Sequence, residues 1–357
     1  MKNEAKKKVL FIATGGTFSA IQTEEGLKPF FDPEQLIAKF PESRELADID
    51  GVQLFHLDST NVHPNDWTKM AEFLGAHYDD ADGFIIGHGT DTLAQTAAAL
   101  SYAVQGSRKP IVLMGSVFST EKPHSDARQN FLDSVAVATA DTIKGVCICF
   151  HGAILKGTHA RKITNEATKF TNEELKVYST VNVPTIGRVK NASVLKNPAY
   201  RECKLATRSG KLEICPKFDP RIGLIKLFPG IESRTLDLYK DMKAIVIEAF
   251  GPGNIPFSYS KWLEDIRRTV SSGVPVFVTT QNPYGEADIN LYEVGLRAKQ
   301  AGVISCEDMT TESVTAKLMW ILGNFPHYTG AQIAAKFNEN IVGEFYGKTL
   351  HAKNEEN

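Results

Sequence analysis

The stretch VLFIATGGTFSA, residues 9–20, decides how the rest of the chain is read. Its first half, Val9 to Ala13, is apolar without alternation, the pattern of a strand covered on both faces. Its second half, Thr14-Gly15-Gly16-Thr17, breaks the strand into a turn that carries two hydroxyls. Three further segments repeat the apolar run: GFIIGHG from Gly83, KPIVLMGS from Lys109 and GVCICFHG from Gly145. Between the first two of these lies DTLAQTAAALSYAV, where Leu93, Ala97, Leu100 and Val104 fall on one helical stripe. Doubly covered strands alternating with amphipathic helices predict an α/β protein with a mainly parallel sheet between helices.

Periodicity weakens between about residues 190 and 222, where KNPAYRECKLATRSGKLEICPKFDPR mixes Pro, Gly and both charges. A second α/β pattern follows, through IGLIKLFPG, KAIVIEAFGPGN, a helix near SKWLEDIRRTVSSG, and VPVFVTT. LYEVGLRAKQAG and TESVTAKLMWILG then read as helices. The expected organisation is two α/β domains: a larger N-terminal catalytic domain over 1–198, an interdomain linker over 199–222 and a C-terminal domain over 223–357. A chain of 357 residues is long enough for two such cores.

Composition narrows the class. The chain is 42% hydrophobic and 23% charged, as in folded soluble proteins. Its 40 basic and 42 acidic side chains give a net charge of -2, with no extended run of one sign that would mark a nucleic-acid or membrane surface. No apolar stretch is long enough to span a bilayer, and the first apolar run is too short for a signal peptide. Cys147, Cys149, Cys203, Cys215 and Cys306 lack C-x-x-C spacing, and the nine histidines show neither H-x-x-x-H nor H-E-x-x-H. Reduced thiols, a cytoplasmic location and no metal or cofactor are the expectations.

Functional groups of open parallel sheets gather beyond the carboxyl ends of strands. Two of the expected strands end in hydroxyl-rich turns. At Thr14 to Thr17 the turn is either a plain connection or the exposed seat of a nucleophile, since a glycine pair lets a substrate carbonyl approach closely. A phosphate cradle is the weaker option, because the G-x-G-x-x-G fingerprint and the Walker lysine are missing. In GHGTDT, residues 87–92, Asp91 and Thr92 are either ordinary helix caps or part of a site at a helix start. His88 reads as a packing and hydrogen-bonding residue. A threonine nucleophile needs a base, and Lys156, Arg161, Lys162 and Lys169 follow the GVCICFHG strand.

Taken in order, TGGT, LDSTNVHPNDW, HYDDADGFIIGHGTDTLAQTAAALSYAV, KPIVLMGSVFSTEKPHSDARQN and TQNPYGEADINLYEVGLRAKQAGVISCEDMT resemble the bacterial-type L-asparaginases, most closely their type I, cytoplasmic branch. The resemblance runs from about residue 8 to residue 340. It implies hydrolysis of the side-chain amide of L-asparagine to aspartate and ammonia, without metal or cofactor, in a homo-oligomer built on an intimate dimer or a tetramer. It implies that Thr17 is the nucleophile and that Thr90, Asp91 and Lys162 complete the catalytic set. Asp58, Ser59, Gly89, Thr90, Asp91, Asn254 and Glu286 then form the substrate site, Ser59 holding the α-carboxylate and Asp91 the α-ammonium. Gly253 and Asn254 lie where a neighbouring subunit closes the pocket.

Three positions depart from the family pattern. Leu27 stands where the family has a tyrosine able to reach the nucleophile, so that either another side chain such as Tyr284 covers Thr17 or turnover is reduced. Arg161 replaces the usual threonine before the lysine, and Asn282 makes TQN of TQC, which weakens the case for allosteric asparagine binding. Competing readings are a broader asparaginase-glutaminase, a low-activity aspartate- or asparagine-binding protein on the same scaffold, and a nucleotide binder. The amidase component of a tRNA-dependent amidotransferase is a further one; it should carry an N-terminal barrel domain, whereas about eight residues precede the first strand, so no nucleic-acid partner is expected.

Overall fold

The computed structural model describes residues 5–165, 177–202 and 211–347. Lys169, Cys203 and residues 203–210 of the expected linker lie outside them. The described residues form two compact units, one comprising those up to Glu202 together with 211–216, the other those from Lys217 onward.

The first unit is built on five parallel strands: β1 (Lys8–Gly15), β2 (Asp48–Leu57), β3 (Gly83–Gly87), β4 (Pro110–Met114) and β5 (Gly145–Phe150). They lie in the order β2-β1-β3-β4-β5. Beyond β5 the sheet continues antiparallel through β6 (Ala153–Lys156), β7 (Gly187–Lys190) and β8 (Ser193–Lys196). All five residues of β3 and of β4 are buried, as their unbroken apolar character predicts. Helix 64–76 shows how the connections are fixed: Pro64 opens it, while His63 and Asp66 bond each other's backbone N–H groups or those beside them in a capping box. Beneath β1, Phe11, Phe18, Phe40 and Phe131 form one aromatic cluster, with Phe11 and Phe131 edge to face at 5.2 Å.

The second unit carries a smaller parallel sheet of β9 (Ile222–Lys226), β10 (Ala244–Ala249), β11 (Val276–Thr280) and β12 (Val303–Ser305), paired in chain order. The expected helices appear as Trp262–Ser271, Glu293–Gln300 and Thr311–Asn324. Lys317 of the last is wholly buried and meets the equally buried Glu344 at 2.5 Å. Two mainly parallel α/β sheets are the expected fold class.

Candidate active site

The order β2-β1-β3-β4-β5 reverses direction at β1: the chain leaves β1 for β2 on one side and then crosses to β3 on the other. Loops after β1 and β3 therefore diverge, and such a switch point is where open α/β sheets place their ligands. Thr17 lies just beyond β1, Gly89 to Asp91 just beyond β3, and Asp58 with Ser59 just beyond β2. Because the three strands are parallel, all three groups share one edge of the sheet.

Backbone contact holds them there. The Gly16 N–H donates to the Leu57 carbonyl at 2.9 Å, and the Thr14 hydroxyl to the Gly87 carbonyl at 2.8 Å. Thr14 thus shapes the turn and is buried in doing so. Gly16 has φ 76° and ψ -177°, and a Cβ on it would stand 2.3 Å from both Cα and N of Gly89. Only glycine allows that approach. A Cβ on Gly89 would in turn lie 2.7 Å from Ser59 Oγ. Thr17 begins a short 3-10 turn whose next residue, Phe18, is sunk in the aromatic cluster, so the half-buried Thr17 is anchored from below.

At the start of helix 93–103 the plain capping reading fails. Thr92 occupies the cap position without a side-chain capping bond; its hydroxyl donates to the Ser59 carbonyl at 2.7 Å. The Asp91 N–H donates to Ser59 Oγ at 3.1 Å, and the Asp91 carboxylate turns to Lys162. Lys162 Nζ lies 2.6 Å from Asp91 Oδ1 and 3.0 Å from Thr90 Oγ1. Its side chain is 18% exposed and that of Asp91 53%. Among the described residues the Asp91 carboxylate is bonded through Oδ1, and its side chain is half exposed.

Lys162 reaches Thr90 and Asp91 from a two-stranded antiparallel ladder, Ala160–Lys162 against Tyr178–Thr180, where it pairs directly with Tyr178. Alternation along that strand turns the Arg161 side chain to the other face, and Lys156 ends β6. The Tyr178 hydroxyl donates to the Thr90 carbonyl. Burial, and then the Asp91 charge, push that phenol well above its usual range, so it stays a donor. His88 is wholly buried behind the turn, with Nδ1 2.7 Å from the Gly89 carbonyl and Nε2 3.0 Å from Thr96 Oγ1, which also accepts from Trp67 Nε1 at 3.0 Å. Burial lowers its pKa to about 4 against the lesser upward pull of the Gly89 carbonyl, so the imidazole is neutral at pH 7. The expected packing role of His88 is the one observed.

Thr17, Asp58, Ser59, Gly89, Thr90, Asp91 and Lys162 thus lie in the first unit. The Asp58 carboxylate accepts from the N–H and hydroxyl of Thr60, at 2.9 and 2.7 Å, and shapes its own turn. Leu27, 41% exposed, sits opposite Gln22 in a hairpin of Ala20–Thr23 and Gly26–Pro29. Asn254 and Glu286 belong to the second unit. Asn254 follows β10 and closes a turn, its N–H donating to the Phe250 carbonyl at 2.7 Å. Glu286, Tyr284 and Asn282 are exposed in the loop after β11. Tyr178 and Thr96 are parts of the arrangement that motif reading does not find; for Tyr178, nothing in KVYSTVN indicates which strand it pairs with. Among the described residues no three His, Cys, Asp or Glu side chains are grouped to hold a metal ion, and no helix is long and apolar enough to cross a membrane.

An asparaginase N-terminal domain model matches residues 8–200, and a glutaminase/asparaginase C-terminal domain model residues 221–337. The chain belongs to the asparaginase family. As an asparaginase-family amidohydrolase it is 34% identical over 343 residues to an L-asparaginase of Thermococcus kodakarensis, covering 95% of this chain and 99% of that protein. It is also 35% identical over 351 residues to a glutamyl-tRNA(Gln) amidotransferase subunit of Methanobrevibacter smithii, covering 97% of this chain and 78% of the relative. Among solved structures, the thermostable L-asparaginase from T. kodakarensis aligns with TM-score 0.84 at 33% identity, over 94% of this chain and 98% of that one. L-asparaginase I from Vibrio cholerae aligns with TM-score 0.81 at 28% identity, over 95% and 99%.

Proposed function

We propose that this asparaginase-family protein is an L-asparaginase acting through Thr17. The observation that carries the reading is the Lys162 ammonium nitrogen held between Thr90 Oγ1 and Asp91 Oδ1, at the switch point where the Gly16 and Gly89 backbones touch. Thr17 Oγ attacks the side-chain carbonyl of asparagine and its proton passes to the Thr90–Lys162–Asp91 set. That proton is handed on to the amide nitrogen as the tetrahedral intermediate collapses to an acyl-enzyme ester and ammonia, and water then releases aspartate and restores the hydroxyl. The amide N–H of the Gly89–Thr90 turn supplies an oxyanion donor, a kind of contact worth about 3 kcal/mol in comparable sites. Asp91 Oδ2 meets the substrate ammonium, while Asp58, Ser59 and Gly89 line the carboxylate end.

Asn254 and Glu286 are proposed to complete the substrate site, in an intimate homodimer or a tetramer located in the cytoplasm. Domains over 1–198 and 223–357, joined by 199–222, belong to the same proposal. A second reading, an amidase acting within an amidotransferase, rests on the 35% identity to the M. smithii protein.

Ammonia release separates these readings. Purified protein with millimolar L-asparagine is expected to turn over well above a Thr17→Ala control and to prefer asparagine to glutamine. Equal, negligible release by both proteins refutes the first reading, and a preference for glutamine favours the second.

A further inference from the structure

We propose that Tyr178 is a positioning residue that sets Thr90 for its contact with Lys162. The proposal rests on the reading of Thr90 and Lys162 as parts of the amidase machinery. Its starting point is a single rung of the short ladder, on which Lys162 and Tyr178 are register partners. Both side chains of that rung grip the same residue. Lys162 Nζ donates to the Thr90 hydroxyl at 3.0 Å, and the Tyr178 hydroxyl donates to the Thr90 carbonyl.

The peptide between Thr90 and Asp91 is consequently held at both ends. Its carbonyl accepts from Tyr178, and its N–H donates to Ser59 Oγ at 3.1 Å. A trans peptide is rigid and carries these two groups on opposite sides, so the pair of bonds leaves it no freedom to rotate. Thr90 and Asp91, the two residues on which Lys162 acts, are joined by that one plane. The ladder itself is steady: Ile163 N–H donates to Val177 at 2.8 Å and Val181 N–H to His159 at 2.8 Å. The Tyr178 ring is buried edge to face on Phe150 at 5.0 Å. Loss of the phenol oxygen leaves the ring packed and releases only the carbonyl.

Tyr178→Phe in the full-length protein is expected to lower kcat for L-asparagine about tenfold with KM changed less than about twofold, since misplacing an acting group weakens turnover more than capture. In a Thr90→Ala background the same substitution should cost less than about twofold, because the hydroxyl it positions is gone. Additive losses in the double variant overturn the proposal. Phe150→Leu, which loosens the ring's packing and keeps the hydroxyl, serves as the structural control. If it lowers kcat equally at the same loss of Tm, Tyr178 acts through packing and the proposal falls.

A readout independent of turnover is amide hydrogen exchange. Tyr178→Phe should speed exchange at the Asp91 N–H about tenfold and leave Phe84 to Gly87 unchanged. Unchanged exchange at Asp91 overturns the positioning role. A wild-type protein inactive on asparagine that still shows the Asp91 effect refutes the proposed function and leaves the positioning role standing.

Discussion

Gly16→Ala tests the backbone contact on which the candidate site is built. The new Cβ would stand 2.3 Å from Cα and N of Gly89, whereas ordinary contact begins at 3.4 Å. The atoms in the way are backbone, so no side chain can swing aside. Gly89 must retreat by about 1.1 Å, the difference between those distances. A displacement of about 1 Å at a reacting centre lowers turnover roughly a hundredfold. The backbone of Gly16, at φ 76° and ψ -177°, adds strain of about 2 kcal/mol for any residue with a Cβ. For a unit of this size that corresponds to a fall in Tm of roughly 4–8 °C. Ammonia release and a thermal melt measure the two effects separately. Gly89→Ala provides the comparison: its Cβ meets Ser59 Oγ at 2.7 Å and Ser59 Cβ at 2.8 Å, and because that Cβ is fixed to its backbone a loss of similar size is expected. A Gly16→Ala protein with more than half of the wild-type kcat/KM and an unchanged Tm would refute the reasoning.

Two further predictions concern the second unit. Burial pushes the Asp308 carboxyl up to about 6; a raised carboxyl penalises the fold above that pH and leaves it untouched below the ordinary value near 3.8. Asp308→Asn should therefore gain on wild type as pH rises from 4 to 7, by up to about 3 kcal/mol in urea unfolding, and a difference that does not vary with pH would contradict this. Lys317→Met strands the buried Glu344 carboxylate and should cost about 3–5 kcal/mol. Adding Glu344→Gln should restore most of it, since a glutamine oxygen can still accept from the N–H groups of Ile341 and Val342 that Glu344 now binds. Failure of the double variant to recover in urea melts would assign the cost to something other than the stranded charge.

The strands legible in the sequence are those buried on both faces. Phe84 to Ile86 and Ile111 to Met114 carry no polar residue that could obscure the pattern. β2 is as decisive for the site and is absent from any apolar-run reading, because DIDGVQLFHL is an edge strand with most residues only half-covered. Its neighbours on one side are solvent and loop, so hydrophobicity had no reason to mark it. Yet β2 creates the switch point, and its last carbonyl, that of Leu57, holds Gly16. Thr17 and the GHGTDT turn were visible as strand ends, but the choice of Lys162 over Lys156 came from family resemblance. No local pattern expresses a contact across 72 residues, and Tyr178, 88 residues from Thr90, left no signal at all.

Behind the turn, the row from Trp67 through Thr96 and His88 to the Gly89 carbonyl has a direction. An indole nitrogen can only give its hydrogen and a carbonyl oxygen can only receive one. Thr96 must then pass its own hydrogen to Nε2, and Nδ1 must carry the imidazole's. The Gly89 carbonyl, which can only accept, thereby selects the His88 tautomer, and Trp67 fills the accepting side of the Thr96 hydroxyl that donates to it. Because the peptide is planar and trans, drawing the Gly89 oxygen inward sends the Thr90 N–H the opposite way. The polarity of the proposed oxyanion donor is thus written in the interior of the protein, in a neutral imidazole that no change of pH near neutrality will reverse.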